Sequence, residues 1–187
     1  MKEASIALGT WSWGAGAAGG DQVFGNHKSE EELHEVFDAA MAAGLNLWDT
    51  ATVYGMGASE DILGKFVRTV PREDIFISTK FTPQIAGMYG NDMETMLDAS
   101  LERLGTDYVD LYWIHNPEDG VERWTADLGR MLKTGKVRRI GVTNPAQVAD
   151  AAAAAGCKLT AKEMAALEEA ARETGVNTRG GWERPMV

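Results

Sequence analysis

The sequence predicts an α/β fold in which a parallel sheet of about five strands is covered by helices. Short apolar runs alternate with longer segments of helical spacing, and glycine, aspartate or serine stands at most of the boundaries. No linker or low-complexity stretch divides the chain. A regular β-then-α order is typical of a parallel sheet. We therefore expect residues 1–187 to form a single domain.

The predicted strands are short apolar runs, and the third is rich in β-branched residues. They cover residues 6–8, 45–48, 75–80, 109–115 and 137–142. The first strand runs into a stretch rich in glycine and tryptophan, residues 9–25.

Helix boundaries follow from capping residues. Ser29 with Glu32 three positions later predicts a capping box, and Gly44 predicts the end of that helix. Asp92 predicts the start of another helix, which Gly105 ends. Further helices are predicted at 60–66, 124–134, 145–155 and 161–174, with an irregular tail at 175–187.

The charge and the cysteine content exclude several classes of function. A formal net charge of -10 argues against nucleic acid or an anionic membrane as a partner. The single cysteine, Cys157, cannot form an internal disulfide, and no metal site is expected. No signal peptide or membrane-spanning apolar segment is visible, so we expect a cytoplasmic protein.

Polar residues lie at or near the carboxyl ends of three consecutive predicted strands. Asp49, Lys80 and His115 hold these positions, and Tyr54 lies in the loop after Asp49. In a parallel barrel such strand ends face one mouth, where active sites form. Taken singly, Asp49, Lys80 and His115 are more often a cap, a solvated charge and a structural histidine, and Tyr54 could be only a turn residue. Their joint placement favours a site.

Such a set could perform general-acid catalysis. A tyrosine phenol has an ordinary pKa near ~10 and is a poor proton donor at neutral pH. A neighbouring ammonium favours the phenolate and lowers that pKa, and a carboxylate can hold the ammonium in place. An imidazole could orient a carbonyl oxygen while a cofactor delivers hydride to its carbon.

Four segments resemble the aldo-keto reductase family. Residues 47–60, LWDTATVYGMGASE, resemble the DTAxxYGxGxSE signature of that family, which is long and specific. The segment at 77–80 is similar to the one that holds the catalytic lysine, and 107–115 to the one that holds the catalytic histidine. Residues 135–142 resemble the fifth strand and its entry, and the likeness covers nearly the whole chain.

The resemblance implies reduction of an aldehyde or ketone by NADPH. It implies that Tyr54 is the acid, that Lys80 and Asp49 tune it, and that His115 orients the carbonyl. Gly9, Thr10 and Trp11 would lie near the cofactor and substrate, with Asp49 beside the cofactor. The aromatic residues Trp11, Trp13, Tyr54 and Trp113 could line an apolar pocket, with plain packing as the alternative.

The chain departs from the family in length. A complete eight-stranded barrel typically needs ~250 residues, so we expect a partial TIM-type (β/α) barrel. Residues 141–148 resemble the phosphate loop after the last strand of the family, and 159–186 resemble its C-terminal helix and tail. The sixth and seventh βα units, with most of the fifth and eighth, are therefore inferred to be missing. Phosphate contacts would come from Thr143, Asn144 and Gln147, and a lone chain would bind NADPH weakly.

Five sequential strands would carry their helices on one face and leave the apolar barrel interior open to water. We therefore expect a homo-oligomer. Three functions stay open at this point: an active reductase, a catalytically inactive barrel fragment that folds or self-assembles, and a binding module.

Overall fold

The computed structural model describes residues 3–116 and 122–143. These residues form a five-stranded parallel sheet with its strands in sequential order. The strands are β1 Ala7–Gly9, β2 Leu47–Asp49, β3 Phe76–Phe81, β4 Leu111–Ile114 and β5 Ile140–Val142. The partial α/β barrel with about five parallel strands is thus confirmed. β4 and β5 are shorter than the predicted strands at 109–115 and 137–142, because Val109 and Val137 pair only as an isolated bridge.

The helices alternate with the strands. In the described part they are α1 Gly20–Phe24, α2 Glu30–Ala42, α3 Ala58–Val67, α4 Met93–Leu104 and α5 Glu122–Thr134. Short 3₁₀ segments cover Tyr54–Gly57, Arg72–Asp74 and Pro83–Tyr89. Sequence periodicity anticipated α2 to α5 but missed α1, because a five-residue helix is too short to show a period.

The capping residues act as the sequence predicts. The Ser29 side chain accepts a hydrogen bond from the Glu32 backbone, and the Glu32 side chain accepts one from the Ser29 backbone. The Asp92 carboxylate accepts from the Thr95 backbone at 2.9 Å. Gly105 ends α4 with φ 67°, a conformation that glycine adopts without steric cost.

The main core lies between one face of the sheet and the helices. Side chains of alternate strand residues point into it and are fully or almost fully buried: Trp48, Ile77, Phe81, Tyr112 and Ile114. They pack with helix residues such as Phe37, Leu63 and Leu97. On the opposite face of the sheet, Leu47, Phe76, Leu111 and Trp113 are only half-buried in the described part of the chain. The helices therefore cover one face, as the strand order requires.

Several predictions fall outside the described residues. These are Cys157, Asn144, Gln147, the helices at 145–155 and 161–174 and the tail at 175–187. The single domain over 1–187 likewise stays a prediction. Among residues 3–116 and 122–143, no helix is both long and apolar enough to cross a membrane. The same residues contain no cluster of three or more histidine, cysteine, aspartate or glutamate side chains that could hold a metal.

Candidate active site

A tight turn after β2 carries Tyr54. Gly55, Met56 and Gly57 have φ values of 60°, 53° and 102°, so the chain kinks sharply before α3 begins. Two of these positions are glycine, which tolerates positive φ. A Cβ atom at Gly55 would lie 3.2 Å from the Ala15 carbonyl oxygen, so the turn packs closely against the N-terminal loop. The Tyr54 side chain is consequently fixed and only 7% exposed.

Lys80 joins Asp49 to Tyr54. Its Nζ donates to Asp49 Oδ2 at 2.6 Å, to the Thr50 carbonyl oxygen at 2.8 Å and to the Tyr54 hydroxyl at 3.1 Å. An ammonium group has three N–H donors, so all of them are engaged. The Lys80 side chain is 7% exposed, whereas that of Asp49 is 27% exposed. The ammonium is therefore buried, oriented and in contact with the phenol.

His115 contacts the ring of Tyr54. The rings of Tyr54 and His115 meet edge to face, with centroids 5.7 Å apart. Burial, and secondarily the charge of Lys80, lower the pKa of His115 from 6.5 to about 3. The imidazole is therefore neutral at physiological pH, and the Thr82 hydroxyl lies 3.4 Å from its Nδ1. A neutral imidazole can orient an oxygen but does not supply a cationic acid.

Buried hydroxyl groups fix the loop between β1 and α1. Thr10 Oγ1 lies 2.7 Å from Ser59 Oγ, and Ser59 Oγ donates to the Thr10 carbonyl oxygen at 2.7 Å. The Thr50 hydroxyl lies 3.2 Å from the same serine. Thr10, predicted to lie near the cofactor, is thus fully buried. Its side chain holds the loop after β1 against α3, whereas the neighbouring Gly9 is exposed.

Glu60, the last residue of the signature, is a buried structural anchor. One of its carboxylate oxygens accepts from the Thr79 hydroxyl at 2.6 Å, and the other accepts from Arg103 Nε at 2.7 Å. Glu60 is 0% exposed. The motif therefore carries the predicted site residues Asp49 and Tyr54 near its start and ties α3 to β3 and α4 at its end.

The aromatic residues divide between the site and the core. Trp11 stacks on Tyr54 with centroids 5.3 Å apart and an interplanar angle of 12°. Trp113 lies half-buried on the open face of the sheet. Trp13 instead packs in the core, 4% exposed, against Trp48 and Phe66. The pocket-lining prediction is wrong for Trp13, since its side chain faces the helices.

The described residues that could hold NADPH lie at the carboxyl ends of β1, β2 and β5. A Cβ atom at Gly9 would meet nothing within 4 Å, so this backbone is open to a ligand. Thr143 is exposed after β5, and its hydroxyl accepts from the Asn116 backbone at 3.2 Å. Asn144 and Gln147 lie outside the described residues. The open backbone at Gly9, the partly exposed Asp49 carboxylate and the exposed Thr143 fit contact with a dinucleotide.

Ser78 extends the site beyond the sequence prediction, and Trp113 joins it through a hydrogen bond that the sequence does not predict. Ser78 Oγ donates to Asp49 Oδ1 at 2.7 Å, and Trp113 Nε1 donates to Ser78 Oγ at 2.8 Å. Ser78 carries a usable sequence signal, because it stands two residues before Lys80 and so shares its face of β3. The Trp113 contact depends on strand register, which the local sequence does not reveal.

Comparison with known proteins places this geometry in a family. The model of the Aldo/keto reductase family matches residues 5–172. Aldo-keto reductase str7 of Strobilurus tenacellus is 38% identical over 143 residues, which cover 73% of this chain and 41% of that protein. Aldo-keto reductase yakc [NADP(+)] of Schizosaccharomyces pombe is 35% identical over 141 residues, covering 70% of this chain and 41% of that protein.

A solved structure shows the same fold. The aldo-keto reductase from Klebsiella pneumoniae in complex with NADPH superposes with a TM-score of 0.61 at 26% identity, covering 89% of this chain and 50% of that one. The chain thus spans less than half the length of the two curated relatives above. Because the family match covers most of the sequence and includes every strand of the described sheet, the chain belongs to the aldo/keto reductase family.

Proposed function

We propose that this chain carries the proton-transfer site for NADPH-dependent reduction of an aldehyde or ketone to an alcohol. One observation carries the proposal: the buried Lys80 ammonium donates to the Tyr54 hydroxyl at 3.1 Å while Asp49 holds it at 2.6 Å. Positive charge beside a phenol favours loss of its proton. Tyr54 is therefore the proton donor to the carbonyl oxygen, and Lys80 and Asp49 tune it.

The neutral His115 complements this assignment. Because the pKa of His115 is lowered to about 3, the imidazole is not a cationic competitor for the acid role. Donation from the Thr82 hydroxyl to Nδ1 would leave the proton on Nε2, from which it can be donated to a carbonyl oxygen. His115 would then orient the oxygen that Tyr54 protonates.

NADPH, when bound, supplies the hydride to the carbonyl carbon. In the described part of the chain, Gly9, Trp11, Asp49 and Thr143 would contact it, with Thr10 holding the loop in place. Asn144 and Gln147 complete the set that the family resemblance implies. Two relatives support this cofactor: one is named for NADP(+), and the Klebsiella structure contains NADPH.

A second candidate is an inactive barrel fragment that folds or self-assembles without turnover. The chain spans 41% of the length of the two curated relatives. Within the described sheet, β1 and β5 each have one neighbouring strand. An exposed strand edge and a half-buried apolar face favour association of copies. We therefore propose a homo-oligomer in the cytoplasm, consistent with the single cysteine.

Turnover separates the two candidates. NADPH oxidation with an aromatic aldehyde is expected for the wild type, and Tyr54→Phe should lower the rate about 10²- to 10⁴-fold by removing the acid. Tyr108→Phe is the matched control, because Tyr108 lies under two arginines at the opposite end of the sheet. Equal rates for wild type and Tyr54→Phe would contradict the assignment.

Binding and assembly are measured separately. Fluorescence titration with NADPH should give weak affinity for a monomer, and sizing by light scattering should show more than one copy per particle. Tight NADPH binding by a monomer would contradict the expectation that a lone chain binds NADPH weakly. Absence of turnover in a well-folded oligomer would favour the inactive fragment.

A further inference from the structure

We propose that Ser78 and Trp113 are positioning residues for the acid site. A continuous chain of hydrogen bonds runs from the Trp113 indole through Ser78 to Asp49, and from there through Lys80 to Tyr54. This inference rests on the proposed function, because it assigns a role relative to Tyr54. It adds two residues that the family signature in this sequence does not contain.

The strand register brings these residues together. Asp49 pairs with Ser78 across β2 and β3, and Lys80 pairs with Trp113 across β3 and β4. Residues paired across neighbouring strands point to the same face of a sheet. Ser78 and Lys80 are separated by one residue on β3 and therefore share a face. The side chains of these four residues thus all project from the face of the sheet that the helices do not cover.

Gly141 provides the space in which the indole lies. A Cβ atom at Gly141 would be 2.4 Å from both Cε3 and Cζ3 of Trp113, which is far closer than van der Waals contact. Gly141 is also the β5 partner of Trp113. The absence of a side chain on β5 therefore lets the Trp113 ring lie flat enough to reach Ser78.

Both carboxylate oxygens of Asp49 accept hydrogen bonds within this network. Oδ1 accepts from Ser78 and Oδ2 accepts from Lys80, so the carboxylate cannot rotate without losing a hydrogen bond. Ser78 is 2% exposed, whereas the Asp49 side chain is 27% exposed and open to water. Without Ser78, we expect the carboxylate to turn toward solvent and to draw Lys80 away from the Tyr54 hydroxyl.

The test is the pH titration of Tyr54 without cofactor or substrate. Phenolate formation is followed by ultraviolet absorption, and the Tyr54→Phe spectrum is subtracted to isolate this residue. Ser78→Ala and Trp113→Phe should each move the midpoint upward by about half a pH unit or more, because a displaced ammonium stabilises the phenolate less. Lys80→Met should give the largest upward shift.

Two variants separate positioning from general damage. Ser78→Thr keeps the hydroxyl and should restore the wild-type midpoint. Thr79→Val removes a buried hydroxyl from the same strand, but its partner Glu60 lies on the helix side. That variant should lower the unfolding temperature and leave the Tyr54 midpoint unchanged.

The outcomes decide the proposal. Wild-type midpoints in folded Ser78→Ala and Trp113→Phe would overturn it, and so would equal shifts in Thr79→Val. If Ser78→Ala does not fold, Trp113→Phe decides alone, because it keeps the β3 backbone and the serine hydroxyl. A shifted midpoint in a protein that shows no turnover would support the positioning role while the proposed function fails.

Discussion

The two ends of the sheet use similar residue types in opposite ways. At the carboxyl end, Asp49 is partly exposed and holds a lysine against Tyr54. At the amino end, Asp110 is 2% exposed and accepts from Arg72 at 2.8 Å, from the Ile77 backbone at 3.0 Å and from Arg138 at 3.2 Å. Both ends thus combine a carboxylate, a cation and a tyrosine.

The tyrosines show the difference most clearly. The Tyr108 ring has guanidinium groups over it, that of Arg72 at 3.8 Å and that of Arg138 at 3.9 Å from its centroid. Lys80 also lies over the Tyr54 ring, with Nζ 4.7 Å from its centroid, but this Nζ in addition donates to the Tyr54 hydroxyl at 3.1 Å. Guanidinium groups stay protonated and stack on rings, whereas an ammonium is a compact charge directed at one atom. We therefore expect the amino end to serve stability, whereas the proposed proton donor lies at the carboxyl end.

The largest expected effect is on turnover at the carboxyl end. Lys80→Met should lower the rate of NADPH-dependent carbonyl reduction about 10²- to 10⁴-fold, because the ammonium that favours proton release from Tyr54 is lost. Lys136→Met is the control, since Lys136 pairs with Glu94 and Asp98 on the surface. A rate loss of similar size in Lys80→Met and Lys136→Met would contradict a specific role of Lys80 in turnover.

The next effect is on stability at the amino end. Asp110→Asn should lower the free energy of unfolding by about 3–5 kcal/mol, because two arginines lose their buried counter-charge. Urea denaturation measures this change. Asp49→Asn is the same substitution at the partly exposed site. It should lower the free energy of unfolding less than Asp110→Asn does and lower the rate of turnover more. A wild-type denaturation curve for Asp110→Asn would contradict the stabilising role.

The lowered pKa of His115 predicts that the stability of the protein depends on pH. The pKa of His115 is about 3 in the folded chain, against an ordinary value of 6.5. Between these values the unfolded chain binds the proton and the folded chain does not. Stability from this group is complete above about pH 6.5 and falls as the pH drops, by at most about 1.4 kcal/mol per pH unit.

Denaturation of His115→Gln at several pH values isolates this contribution. The difference in unfolding free energy between wild type and variant should shrink from pH 7 toward pH 3, because the variant lacks the proton linkage. Parallel pH profiles would show that the imidazole titrates equally in both states.

The smallest effect separates the two arginines of the amino end. Arg138 is 56% exposed in its side chain, so Arg138→Met should cost about 0.5 kcal/mol or less. Arg72 is 19% exposed and also donates to the Thr106 hydroxyl and to the carbonyl oxygens of Ile75 and Tyr108. Arg72→Met should therefore destabilise more in urea, and equal losses would assign both arginines the same role.

Local sequence signals predicted most of the fold. The Ser29–Glu32 capping box and the Asp92 cap both form, and the predicted strands overlap the observed ones. These features depend on neighbouring residues, so the sequence reveals them directly. The helix at Gly20–Phe24 was not predicted, because it is short and lies in a glycine-rich stretch.

The sequence by itself determined the family, the strand order and the identity of the residues at the strand ends. Only the tertiary structure decided their environment: the three acceptors of Lys80, the burial of Glu60 and Thr10, the contact of Trp113 with Ser78 and the lowered pKa of His115. Periodicity and caps arise from interactions within one element. Hydrogen bonds between strands, and the loss of water around a charge, depend on which distant residues the sheet brings together.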